Sequence, residues 1–205
     1  MRQTHMRIQF VILLFVPAIL CSQQVRSLSV YGEFGYGYSE TKYSLATGGI
    51  SLNLGLTAGL NDWLVKYVRR TNNEGAFAEP QEKINANSIL LGKSFVLFGG
   101  YDEAGTTKYQ CNVTLYAGWS SIENQRRGPL LQNYPGNSAY QHIVEQGEGY
   151  PFELEFQLII PPFNAGAISV FYNANQFRDF YGVNLILFGG YFVRNLTNRS
   201  NRGTG

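Results

Sequence analysis

Between Ile50 and Leu60 every even position is apolar (Ile50, Leu52, Leu54, Leu56, Ala58, Leu60), and every odd one is small or polar (Ser51, Asn53, Gly55, Thr57, Gly59). A side-chain period of two belongs to an extended strand with one apolar and one polar face, and no helical period fits it. The alternation returns at 109–120, where Tyr109, Cys111, Val113, Leu115, Ala117 and Trp119 share a face, and at 152–160, where Phe152, Leu154, Phe156, Leu158 and Ile160 do. Weaker copies lie at 28–38, 166–176 and 181–193. Two β-prone runs at 63–70 and 88–101 bring the count to eight strands. Only 15% of the residues are charged and as many are aromatic, which excludes a disordered chain, a coiled coil and a helical bundle rich in Glu, Lys and Ala. One domain is the natural count.

The first 22 residues have the layout of a secretory signal, with Arg2 and Arg7 ahead of an uncharged apolar run from Ile8 to Leu20. That run is shorter than the roughly 20 residues a spanning helix needs. Without Arg2 and Arg7 the chain holds 14 basic and 14 acidic residues, so a nucleic-acid partner is not expected. Cys21 either leaves with the leader or carries a lipid. If it leaves, Cys111 is the only cysteine and an internal disulfide is excluded.

Alternation alone does not say which way the apolar face points. Ring placement does, because Trp and Tyr collect at both borders of a membrane-facing band while aliphatic residues fill its middle. Tyr109 and Trp119 bracket one aliphatic stretch, and Tyr181 and Tyr191 bracket another around Val183, Leu185 and Leu187. Ten residues of strand, tilted by about 40°, project to about 25 Å, the height of such a band. The gaps also alternate between turn and loop, except that the last connection is short where a loop is due. Turns are expected at Asn61–Asp62, near 102–107, at 161–164 and at 177–179, and longer loops near 39–46, 71–87 and 121–150.

These features resemble the small eight-stranded outer-membrane β-barrel proteins of Gram-negative bacteria. The resemblance spans 28–193, and the last strand carries the spaced Gly182, Leu185, Leu187 and closing Tyr191 or Phe192 of an assembly signal. It implies an all-β, eight-stranded antiparallel transmembrane barrel wound as an up-and-down meander and located in the outer membrane. The implied partners are outer-membrane lipid, lipopolysaccharide and the barrel-assembly machinery. The expected organisation is a signal peptide over 1–22, a barrel over 23–193 and a disordered tail over 194–205.

Such a barrel is only wide enough for side chains to pack inside it. Gly35, Gly37, Gly55, Gly59, Gly118, Gly182 and Gly190 then point inward and leave room for Tyr31, Tyr116, Phe171 and Phe188. Glu33, Glu153 and Glu155 share that face, and buried carboxylates need cations or donors. Lys66 and Arg70 supply them. Lys93 is placed inward as well, because a lipid-facing Lys costs about 2–4 kcal/mol at the midplane, with a bulge at Gly99 and Gly100 to restore the outward face at Tyr101.

Chemistry is sparse. One histidine, His142, follows the leader, no zinc spacing exists and no cofactor is expected. An enzyme acting on lipid would need His142 beside Ser120 or Ser121 and Glu145 or Glu148. The long loop over 121–150, rich in Tyr, Arg and Asn, is the expected place for a surface ligand. Two alternatives stay open: a secreted soluble barrel or sandwich holding an apolar ligand, and a lipid-modifying enzyme of the outer membrane.

Overall fold

A computed structural model describes residues 27–41, 48–74, 82–101, 107–134, 137–160 and 164–194. The leader and residues 195–205 of the expected tail lie outside the described residues. The strands are β1 (Ser27–Thr41), β2 (Gly49–Leu60), β3 (Trp63–Glu74), β4 (Glu82–Tyr101), β5 (Thr107–Tyr134), β6 (Asn137–Ile160), β7 (Asn164–Asn175) and β8 (Phe180–Arg194). Each runs antiparallel to the next, and β8 pairs with β1 to close the barrel.

The register fixes the shape of the ring. Following paired residues from Leu28 through Leu60, Trp63, Lys93, Leu115, Leu154, Val170 and Val183 returns to β1 at Tyr38, ten residues beyond the start. Eight strands with a stagger of ten tilt by about 40°. Ten residues at 3.3 Å then span about 25 Å along the barrel axis.

At one end, Asn61 and Asp62 alone join β2 to β3. Asn61 takes the left-handed backbone (φ 57°) that a short amide side chain tolerates, and its N–H donates to the Ser27 carbonyl at 2.9 Å. At the other end the β7–β8 connection is ordered by side chains. The Asn175 side-chain Oδ1 accepts from the N–H groups of Phe177 and Arg178, each at 3.0 Å, the pattern that makes Asn a turn former.

The structure differs from the sequence expectations at four places. Of the loop expected over 71–87, residues 71–74 belong to β3 and residues 82–87 to β4, paired with each other. Residues 121–134 and 137–150 are not a loop: β5 and β6 continue through them as paired strands. The alternation is invisible there because beyond Ile122 polar residues fall on both faces, yet the ladder persists. The register shift in β4 falls at Leu97, between Val96 and Phe98, with another between Gly100 and Tyr101, so the bulge begins earlier than Gly99. And β8 runs through Arg194, one residue into the expected tail.

Small residues set the β1–β8 seam. A Cβ on Gly37 would lie 1.9 Å from the Val183 carbonyl oxygen and 2.7 Å from Asn184 Cα, and neither backbone atom can yield cheaply. Gly37→Ala should therefore cost about 1–3 kcal/mol, read as a lower urea midpoint for unfolding. An unchanged midpoint would mean that the seam is looser than described.

Candidate functional site

The inward residues of the eight strands form three storeys. In the middle, Lys66 reaches across from β3 to Glu33 on β1 (2.9 Å) and to Glu153 on β6 (3.3 Å), and donates a hydrogen bond to Glu155. Arg70, four residues further along β3, donates to Glu153 at 3.1 Å and to Asn53 at 3.0 Å. Ser169 donates to Glu153, and Gln157 donates to Glu155 at 2.7 Å. All five charged side chains are shielded from solvent. Their aromatic neighbours complete the setting: the Lys66 ammonium lies 5.0 Å from the Tyr116 ring and the Arg70 guanidinium 3.9 Å from the Phe171 ring, both within cation–π range.

Towards the Asn61–Asp62 end, Tyr31 meets Phe188 edge-on at 5.0 Å in a cluster with Ala167 and Ile186. Towards the opposite end, Phe171, Phe180, Ile84, Ala86 and Ile122 pack together, with Phe177 of the β7–β8 turn against them. Arg178 of that turn pairs with Glu82 and donates to Asn124 at 3.3 Å.

The structure thus brings together Glu33, Lys66, Arg70, Glu153 and Glu155. Lys93 is the exception and corrects the sequence expectation: it is exposed on the outside, with its ammonium 5.2 Å from the Trp63 ring and 5.7 Å from the Phe95 ring. Uninterrupted pairing of β4 with β5 from Lys83 to Val96 keeps Lys93 in phase with Ile89, Leu91 and Phe95, so no bulge is available to turn it in. Sequence reasoning also missed Asn53, Ser169 and Gln157, although their inward parity was the signal that could have found them. It missed the Arg178–Glu82 pair, 96 residues apart, for which no local signal exists.

The residues considered for catalysis stay apart. Ser120 is buried and accepts from Asn173 at 3.0 Å. Ser121 pairs across the ladder with Glu148, whereas His142 pairs with Arg127, six residues along, which is about 20 Å of strand. The His142 Nδ1 instead meets the Gln125 amide at 3.0 Å, and Glu145 pairs with Arg126 at 2.9 Å. Among the described residues no group of three His, Cys, Asp or Glu could hold a metal ion.

The outside inverts the ordinary rule for a soluble protein. Leu54 and Leu185 are each 65% exposed and Leu187 is 70% exposed, and outward Val, Ile, Leu and Phe recur on every strand. Tyr109, Trp119 and Tyr181 face outward and are exposed. The backbone of Tyr191 pairs with Val30, and its side chain lies outside those described. A closed sheet has no edge to satisfy, and an even-stranded antiparallel barrel that is greasy outside and charged inside is the outer-membrane type. The chain is such a transmembrane barrel. It is not a soluble barrel or sandwich with its apolar face turned in.

No protein-family model and no curated protein matches the sequence. Similar solved structures include Neisserial surface protein A, at 8% identity over 80% of this chain and 97% of that one (TM-score 0.49). They also include Ail, the attachment invasion locus protein of Yersinia pestis, at 15% identity over 83% and 100% (0.48). A third is the N-terminal β-barrel domain of OprF of Pseudomonas aeruginosa, at 9% identity over 82% and 100% (0.47).

Proposed function

We propose that this barrel is a scaffold that spans a Gram-negative outer membrane with its Asn61–Asp62 end in the periplasm and presents its β5–β6 arm outside the cell to a surface ligand. The observation that carries this reading is the length of the arm. β5 pairs with β4 only as far as Gln125, and β6 pairs with β7 only from Gly149 onward. Beyond those rungs, among the described residues, the two strands pair only with each other. A two-stranded arm with both edges open offers main-chain donors and acceptors to a partner, and exposed Arg126, His142 and Val144 give it mixed chemistry.

The interior is a packed plug, not a conducting path. The ion cluster across the middle and the apolar clusters at both ends support this, since an eight-stranded ring leaves no width beyond its own side chains. Lipid, lipopolysaccharide and the assembly machinery are the remaining partners, the last through the apolar repeat of β8.

Removing residues 125–146 separates scaffold from arm. The shortened barrel should still insert, seen as different gel migration before and after boiling, and should lose adhesion of cells that carry it or capture of ligand at their surface. Adhesion equal to that of the full chain would remove the arm from the function.

A further inference from the structure

Low in the apolar belt Lys93 is an exposed outward cation, as Arg69 is near the upper border, and no ion pair among the described residues gives Lys93 a carboxylate partner. The ion pairs there use Lys66, Arg70, Arg126 and Arg178. It stands three steps along the eight-step line from Leu28 to Tyr38, about 9 Å above the level of Leu28 at the tilt given above. A Lys at that depth extends its stem toward the nearer water boundary and carries its ammonium with it. The rings that hold the ammonium mark that direction, for Trp63 adjoins the Asn61–Asp62 turn and Phe95 lies two residues nearer the same end.

Beside Lys93 the outer surface is hollowed. A groove of about 660 Å³ runs from β4 across to β8 between two neighbouring rows of outward side chains, one beginning at Lys93, Leu115 and Leu154 and the next at Leu91, Ala117 and Phe152. The methyl of Ala117 between the larger Leu91 and Phe152 makes the dip. An elongated apolar hollow with a single cation at its lower end matches an amphiphile with one negative group and a hydrocarbon tail, and the volume is that of a small-molecule site.

We propose that this face binds one anionic phospholipid of the periplasmic leaflet, its phosphate on Lys93 and one acyl chain in the groove across β4, β5 and β6. The proposal rests on the membrane orientation given above, so insertion and lipid choice must be read separately.

The test uses the full barrel refolded into vesicles of equal phosphatidylglycerol and phosphatidylcholine, released into detergent, with retained lipid identified by native mass spectrometry. The wild type should retain phosphatidylglycerol over phosphatidylcholine by about fivefold, the size of one lysine acting on an anionic lipid. Lys93→Arg should keep the preference. Lys93→Gln should bring it to about one by removing the charge, and Ala117→Phe should reduce retention of both lipids by filling the groove. Migration before and after boiling reports insertion of each variant independently. Equal ratios for wild type and Lys93→Gln would overturn the headgroup assignment. Unchanged retention in Ala117→Phe would overturn the groove, and loss of the preference in excess inorganic phosphate would reduce the site to a phosphate contact without a lipid.

Discussion

Lys66→Met should destabilise the barrel by about 3–5 kcal/mol, the cost of stranding buried charge by deleting its partner, and should lower the urea midpoint accordingly. Lys66 lies within 3.3 Å of Glu33 and Glu153 and also holds Glu155, and none of these side chains reaches solvent. Without it Arg70 still engages Glu153, but Glu33 and Glu155 lose the cation between them. Domain stability is commonly 5–15 kcal/mol, so the loss is a large share of the whole. Adding Glu33→Gln and Glu155→Gln to Lys66→Met should restore most of the midpoint, because replacing an entire buried ion group is far cheaper than breaking one. Arg126→Ala, which breaks the half-exposed pair with Glu145, should change stability by less than about 1 kcal/mol. A Lys66→Met barrel as stable as the wild type would mean that Lys66 is not the counter-ion of this cluster.

How far the sequence carries this architecture depends on contrast between faces. Over 50–60, 109–120 and 152–160 one face meets lipid and the other meets the interior, so the period of two is printed in the residue types. Over 121–134 and 137–150 the ladder continues where, beyond Ile122, polar residues fall on both faces. Glu123 and Gln125 alternate with Asn124 and Arg126, and nothing in that pattern tells a strand from a loop. The polar face of the barrel was legible by parity alone, which placed Glu33, Lys66, Arg70, Glu153 and Glu155 on one side. Which of them touch was not. Lys66 meets Glu155 across 89 positions of chain, and only the stagger of the closed ring brings those two rungs level. Lys93 shows the opposite failure. The rule that charge avoids lipid is sound as an average, but backbone register decides parity, and a long stem between two rings lets a charge remain on the outer face.

Leu187→Arg should cost about 2–4 kcal/mol for folding into vesicles, the expense of a cation near the bilayer midplane. Leu187 is 70% exposed and pairs with Phe34 and Gly166, and Phe34 lies six residues up the ten-residue span from Leu28 to Tyr38. On a soluble protein the same change at so exposed a position would stay within about 0.5 kcal/mol, because water already surrounds the side chain. The decisive feature is depth. Asn87→Arg on β4 also alters an outward side chain, but its rung with Arg69 sits near the upper border, where the cost falls to about 0–1 kcal/mol. Urea titrations of the two variants in the same vesicles should differ by about 2 kcal/mol or more. Equal and small effects at both depths would place water, not hydrocarbon, against the belt, and the membrane assignment would fail with it.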